Sequence, residues 1–459
     1  MGEFKGVSPL AAGGIQSSMK SLLLSEYAIL WRLVRPLLSR HKRLRDDFPL
    51  RLVPDAWAPP YPVDLWIQAA SGGESFLVRQ LLGELHALTA GCDPQQRLRV
   101  LCTSCTRQGL DVLESAKAYG ETAWPGLDIA VRVFPLDEPK IMRRAVERAA
   151  PKAAVLLETE LWPGLMAACA DAGVPLVTVN GRMTEKSYSG YRWFSRLWGK
   201  IAPSRILAMA DADASRFAAL FGADRVSVMP NMKFDGVPLA APASASGPDS
   251  PVTRLLPPDV PVILLASVRE EEEPLLVPVL GYLREHAPES LVVIAPRHME
   301  RVQAWQGILA ETFGRENALA ASGLEEPGAA LPLASQAVLW DRFGQLQALY
   351  GRATSVFVGG SLAPLGGQNF LEAAGQGRVP VIGPHWKNFA WVGEEFFTAG
   401  LGRRVPDAAA LGPALVDGLH AAPEPGTIRL KVTAYLAPRR GGTRMAAEAV
   451  LEVLQNRGR

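Results

Sequence analysis

Four cysteines in 459 residues, at positions 92, 102, 105 and 169, are too few for a disulfide framework in a chain this long, and they point to a reducing compartment. Cys102 and Cys105 share C-x-x-C spacing. No second pair completes a zinc site, however, and the run Val100-Leu101-Cys102 is apolar, so these thiols read as structural. Charge is also scarce: charged residues make up 20% of the chain and the net charge is +2, which leaves no chain-wide field to recruit nucleic acid. The 48% hydrophobic content excludes disorder, and the length exceeds one ordinary core, so two domains are expected. No array of transmembrane segments and no solenoid repeat is present. Residues 1–18 lack the charged, apolar, small-residue order of a secretory signal and read as a flexible tail. The glycines match neither the G-x-G-x-x-G fingerprint nor a Walker loop, which weakens hydride-transfer and NTP-hydrolysis readings.

What charge there is clusters near the N-terminus. Residues 19–45 carry Leu22, Leu23, Leu24, Ile29, Leu30, Trp31, Leu33, Val34, Leu37 and Leu38, interrupted by Glu26, Arg32 and Arg35. Spanning a bilayer takes about 20 predominantly apolar residues. This segment is therefore expected to lie in a membrane interface, with Arg40-His41-Lys42-Arg43-Leu44-Arg45 suited to an anionic surface. The alternative is a helix packed on its own domain with a solvated basic end.

From residue 64 short apolar runs alternate with helical segments, the signature of a parallel sheet covered on both faces. Strands are expected at 64–70, 99–103, 130–134, 153–158, 175–179, 205–209 and 225–229, and Leu77, Leu81, Leu85 and Leu88 recur at helical spacing. A stretch rich in Pro, Ala and Ser, 237–258, reads as a linker between a domain at 46–236 and one at 259–459. Runs resume at 261–266, 290–295, 335–340, 354–359 and 379–382. Two such α/β domains are expected to face a central cleft, with ligands beyond the carboxyl ends of the strands.

The turns after strands carry the candidate chemistry. Ser71-Gly72-Gly73-Glu74 opens a helix, where Glu74 is either a carboxylate favoured by the helix dipole or a general base. Glu158 and Glu160, one residue apart, are expected to project to one side of an extended chain, either to bind sugar hydroxyls or, for one of them, to cap the helix that follows. Asn180-Gly181-Arg182 can hold an acceptor phosphate or carboxylate. In the second half Arg297-His298 ends a strand and suits an anion. Gly359-Gly360-Ser361 and Gly366-Gly367-Gln368-Asn369 bracket a loop whose N–H groups can surround a phosphate, with Glu372 one helical turn on for ribose hydroxyls.

In order, these motifs resemble the Kdo transferases, which attach 3-deoxy-D-manno-octulosonic acid to the lipid A precursor of Gram-negative bacteria. The match covers most of residues 20–400: Ala69-Ala70-Ser71-Gly72-Gly73-Glu74, Glu158-Thr159-Glu160-Leu161-Trp162-Pro163, Val179-Asn180-Gly181-Arg182, Asn231-Met232-Lys233-Phe234-Asp235, Pro296-Arg297-His298, the glycine block at 359–372, Gly383-Pro384-His385 and Asn388-Phe389. The resemblance implies a GT-B fold, CMP-Kdo as donor, inverting transfer without a metal or other cofactor, and attachment to the cytoplasmic face of the inner membrane. It makes Glu74 the general base, with Ser71, Gly72, Gly73, Glu158, Glu160, Asn180 and Arg182 on the acceptor side. Lys233 would face the donor's negative charge, and Ser267, Arg269, Arg297, His298, the glycine turns, Gln368, Asn369 and Glu372 would hold the donor.

The chain departs from the family pattern in places. Gln68 and Gln368 stand where members carry His, Ala373 where they carry Pro, and Ala266-Ser267-Val268-Arg269-Glu270-Glu271 replaces Gly-Ser-Thr-His-x-Gly. If these changes touch the donor pocket, another nucleotide sugar becomes an alternative donor. A membrane-associated sugar- or nucleotide-binding protein without catalysis is the alternative of a different class.

Overall fold

The computed structural model describes residues 9–41, 44–90, 97–194, 198–239, 250–325 and 331–456, with the backbone alone for 9–23. Cys92, Lys42, Arg43, the first eight residues of the expected tail and linker residues 240–249 lie outside the described residues. Two compact units form: Met1–Gly236 with Arg439–Arg459, and Val237–Pro438.

The first unit is built on seven parallel strands, β1 (Leu65–Ala69), β2 (Leu98–Ser104), β3 (Leu127–Val133), β4 (Ala153–Leu157), β5 (Leu176–Gly181), β6 (Arg205–Ala208) and β7 (Val226–Val228). They lie in the order β3-β2-β1-β4-β5-β6-β7. Every residue of β1, β4 and β5 is buried, which is why they read as unbroken apolar runs rather than alternations. Strand order reverses between β1 and β4, so a ligand site is expected beyond their carboxyl ends. The helix Gly72–Thr89 follows β1, capped by the Ser71 hydroxyl, and buries Leu77, Val78, Leu81, Leu82 and Leu85.

The second unit repeats the plan. Its parallel strands β8 (Val262–Val268), β9 (Leu291–Pro296), β10 (Ala318–Ala320), β11 (Ala337–Leu339), β12 (Ser355–Val358), β13 (Pro380–Ile382) and β14 (Arg403–Arg404) take the order β10-β11-β9-β8-β12-β13-β14, which reverses between β8 and β12. Strands β10 and β14, the two edges, were not expected from the sequence.

Three boundaries differ from the sequence reading. The last helix, Gly442–Asn456, belongs to the first unit rather than to the second domain, because Ala446, Ala447, Ala449 and Val450 complete the first unit's core. Within the expected linker Pro251–Leu255 is helical and buries Val252 and Leu255. The expected tail is helical from Pro9, at the start of a helix that runs to Leu38.

That first helix has two faces. Leu24 and Trp31 pack against the first unit's core, the Tyr27 hydroxyl donates to Asp137 Oδ2 at 2.9 Å, and Arg35 pairs with Glu138 at 3.4 Å. Burial pushes Asp137 up to about 7, against hydrogen bonds from the N–H groups of Gly164 and Leu165 and from Tyr27. On the other face Ile29, Leu30, Leu33 and Leu37 are exposed, Leu33 and Leu37 by 69% and 68%. At 100° per residue these four fall within about 100° of the circumference. Among the described residues no helix is long and apolar enough to cross a membrane.

Candidate active site

At the carboxyl end of β1 the chain turns through Ala70 and Ser71 into the helix that carries Glu74. The Ser71 hydroxyl donates to Glu74 Oε1 at 2.9 Å and accepts from the Glu74 N–H at 3.4 Å, while the Ala70 N–H donates to Glu74 Oε2 at 2.8 Å. This is a capping-box arrangement shifted back by one residue, and it fixes the carboxylate rotamer. Gly72 is buried against Gln108, whereas Gly73 is exposed beside the carboxylate. Burial raises the Glu74 pKa above its ordinary value; the bonds from Ala70 and Ser71 oppose the rise, the Glu158 charge adds to it and Lys233 lowers it.

Two further carboxylates complete the cluster, but not as a pair on an extended chain. Glu158, at the end of β4, has φ +54°, so the chain is not extended there. Glu158 Oε1 meets Lys233 Nζ at 2.6 Å, and Glu160 Oε2 accepts from Trp162 Nε1 at 2.5 Å. Burial first, then the negative charge of Glu74, pushes Glu160 up to about 8. A non-glycine residue in the left-handed region costs about 1–3 kcal/mol. Of six such residues among those described, Glu158, Asn180 and Ser267 sit at the ends of β4, β5 and β8, while Val53, Ala150 and Ser335 lie elsewhere.

Asn180 is fully buried, and its Oδ1 accepts the Met232 N–H at 2.9 Å. Its Oδ1 therefore supports the Lys233 turn, while its Nδ2 is buried without a hydrogen-bond partner among the described residues. Arg182 is exposed, and its carbonyl accepts from the Thr159 hydroxyl. Gln68 lies in the first unit, within a buried chain of hydrogen bonds. Trp66 Nε1 donates to Thr103 Oγ1 at 2.9 Å, Thr103 Oγ1 to Gln68 Oε1 at 2.6 Å, and Gln68 Nε2 to Cys105 Sγ at 3.3 Å. Burial pushes the Cys102 and Cys105 thiols up to about 12, which keeps them protonated.

In the second unit a cavity of about 250 Å³ opens at the carboxyl ends of β8 and β9. Ser267, Arg297, Trp340, Phe343 and Glu372 line it. Glu372 Oε1 accepts from Asn369 Nδ2 at 2.9 Å; burial raises its pKa, and Asn369 and the Arg297 charge pull it back. Burial raises the pKa of the Tyr350 hydroxyl, and Ser267 beside it opposes the rise. His298 is exposed, 3.9 Å from Glu300, and does not line the cavity.

The expected phosphate nest is filled by the protein itself. Glu272, fully buried, accepts the N–H groups of Gly360 (2.6 Å), Ser361 (2.9 Å), Leu362 (2.9 Å) and Arg269 (3.1 Å). The Ser361 hydroxyl is used internally as well: it donates to the Val358 carbonyl at 2.7 Å and accepts from the Gly383 N–H at 2.9 Å. Gly359 is required for contact rather than for phosphate approach, since a Cβ there would lie 2.7 Å from the Ser267 carbonyl and 2.8 Å from Glu272 Oε2. Across the loop the Gly367 N–H bonds the Gly360 carbonyl at 2.7 Å, and Gln368 lies over Gly360. Gly366 lines a separate cavity of about 240 Å³ with Pro364, Pro384, His385, Trp386 and Lys387. Sequence reasoning missed Glu272. Its one local signal is capping-box spacing, three residues after Arg269.

Two parallel sheets of Rossmann order, each with its polar cluster at the strand-order reversal, are those of the GT-B fold. The fold is shared with a glycosyltransferase from Rickettsia africae, at 13% identity and TM-score 0.54 over 86% of this chain and all of that one. Anabaena HepE, solved in complex with UDP, gives 13% identity and TM-score 0.52 over 85% of this chain and all of that one. Residues 35–236 match the family model of 3-deoxy-D-manno-octulosonic-acid transferase. The 3-deoxy-D-manno-octulosonic acid transferase of Bordetella pertussis is 30% identical over 406 residues, 85% of this chain and 87% of that protein. That of Haemophilus influenzae is 27% identical over 343 residues, 73% of this chain and 74% of that protein. The chain belongs to the Kdo transferase family.

Proposed function

We propose that this enzyme transfers Kdo from CMP-Kdo to a hydroxyl of a lipid A precursor, with inversion and without a metal ion. The observation that carries the reading is the Glu74 carboxylate, held at the β1–β4 reversal by Ser71 and Ala70 and raised in pKa by burial. Glu74 takes the acceptor proton as the acceptor oxygen bonds to the anomeric carbon of Kdo. The bond from that carbon to the phosphate oxygen breaks, and CMP leaves with the electron pair. Lys233 offsets the charge of Glu158 and keeps Glu74 ionisable. Ser71, Gly73 and Arg182 border the acceptor. In the second unit Arg297 balances the monophosphate, while Glu372, oriented by Asn369, accepts from the ribose hydroxyls.

Turnover of CMP-Kdo against other CMP- and UDP-sugars, with a lipid A precursor as acceptor, tests this directly. Transfer from CMP-Kdo alone is expected. Preference for another donor would favour the second reading, which the Arg269 departure in this chain supports, and absence of transfer from every donor would favour a binding protein.

The exposed stripe Ile29, Leu30, Leu33, Leu37 and the basic residues after it suit a peripheral site on an anionic cytoplasmic membrane face. Leu33→Glu with Leu37→Glu is expected to abolish flotation with anionic liposomes while leaving the Tyr27–Asp137 contact intact. Undiminished flotation would remove this helix as the anchor.

A further inference from the structure

The turn that carries Lys233 is held from three directions. Asn231 Oδ1 accepts the Lys233 N–H at 3.0 Å, and Asn180, from the end of β5, accepts the Met232 N–H at 2.9 Å. The third hold comes from the far end of the chain. Asp235 Oδ1 accepts the Gly441 N–H at 2.7 Å, and its Oδ2 accepts the N–H and the hydroxyl of Thr443, each at 2.7 Å, across 206 and 208 residues. These donors stand at the start of the C-terminal helix Gly442–Asn456, where a carboxylate is further favoured by the helix dipole. The approach is tight: a Cβ on Gly442 would lie 2.1 Å from the Pro230 carbonyl and 3.1 Å from the Met232 nitrogen.

The same helix packs along the helix Gly72–Thr89, whose first turn carries Glu74, and buries Ala446, Ala447 and Val450 there in the core of the first unit. One rigid element thus touches the supports of both Glu74 and Lys233. Docking of the C-terminal helix alone would need only its apolar face. The Asp235 contacts add nothing to that face and instead tie the helix to the turn two residues beyond Lys233. We propose that Asp235 is a positioning residue that, through the C-terminal helix, fixes Lys233 relative to Glu74. The inference rests on the reading of Glu74 and Lys233 as the working pair.

A double-mutant cycle with Lys233 tests it, read by turnover and by acylation of Lys233 with an amine-reactive ester followed by mass spectrometry. Asp235→Ala is expected to lower kcat roughly 10- to 100-fold, the range for charge-assisted hydrogen bonds, with KM for CMP-Kdo changed by about twofold at most. Asp235→Ala/Lys233→Ala should be no slower than Lys233→Ala alone, because the first change acts only through the second. Acylation of Lys233 should quicken several-fold once the turn is released. Rates that multiply in the double variant, or Lys233 acylation unchanged by Asp235→Ala, would overturn the proposal. If Asp235→Ala does not fold, Thr443→Val, which removes one of the three bonds and keeps the carboxylate, should shift kcat and acylation in the same directions by smaller factors, and no shift in either overturns it. Full activity of Lys233→Ala would instead count against the functional reading of Lys233, and the acylation arm would still decide whether Asp235 fixes the turn.

Discussion

Glu74 and Glu272 occupy equivalent places in the two units, each in the segment that follows the first strand of its sheet's central pair, yet they are held in opposite ways. Glu272 is fully buried and saturated by four backbone N–H groups, with Gly360, Ser361 and Leu362 folded around it. Glu74 is half-buried and has only two donors, Ala70 and Ser71, with the Glu158 charge pressing against it. The first carboxylate is committed to the fold. The second keeps capacity to accept a proton, and this follows from its neighbours rather than from the residue type.

The comparison can be strained from several sides. Glu272→Ala should have the largest effect, because it leaves the three buried N–H groups of Gly360, Ser361 and Leu362 unpaired at about 1–3 kcal/mol each, and the second unit should lose several kcal/mol in chemical denaturation. A loss below about 1 kcal/mol would mean that water replaces the carboxylate there without penalty. On the Glu74 side, Lys233→Met should lower turnover at neutral pH roughly 10- to 100-fold. It should also move the acid limb of the kcat profile to higher pH, since Lys233 lowers the Glu74 pKa while Glu158 raises it. An acid limb that stays in place would detach Lys233 from Glu74.

Glu160→Gln gives the smallest and most specific effect. Glu160 is raised from 4.5 to about 8 in the folded chain, so across that window the folded state holds a proton that the unfolded state has released. Stability falls as pH rises through the window, and Gln should remove that part of the slope in thermal midpoints measured from about pH 5 to 8. An identical slope in the variant would show that Glu160 titrates normally.

Much of the fold was legible because central strands of parallel sheets are buried on both faces and read as apolar runs, as Leu65–Ala69 and Val262–Val268 do. The edge strands Ala318–Ala320 and Arg403–Arg404 were not, being two or three residues long and set by the neighbour they pair with. The C-terminal helix shows an apolar face in its sequence, but periodicity does not say which unit covers it. At the site, the strand-end turns pointed to Glu74, Arg297 and Glu372. The glycine loop misled, because a nest of N–H groups accepts a phosphate or a carboxylate alike, and Glu272 lies 88 residues before Gly360 in a run of four glutamates, marked only by its spacing from Arg269.

Turnover of CMP-Kdo by Glu74→Gln, beside Glu272→Gln and with thermal midpoints recorded for both, bears most directly on the contrast between the two carboxylates. Glu74→Gln is expected to lose roughly 10²- to 10⁴-fold in kcat at an unchanged midpoint, the loss typical of a removed general base, while Glu272→Gln loses stability first. Wild-type turnover by Glu74→Gln would contradict the assignment of Glu74 as the base.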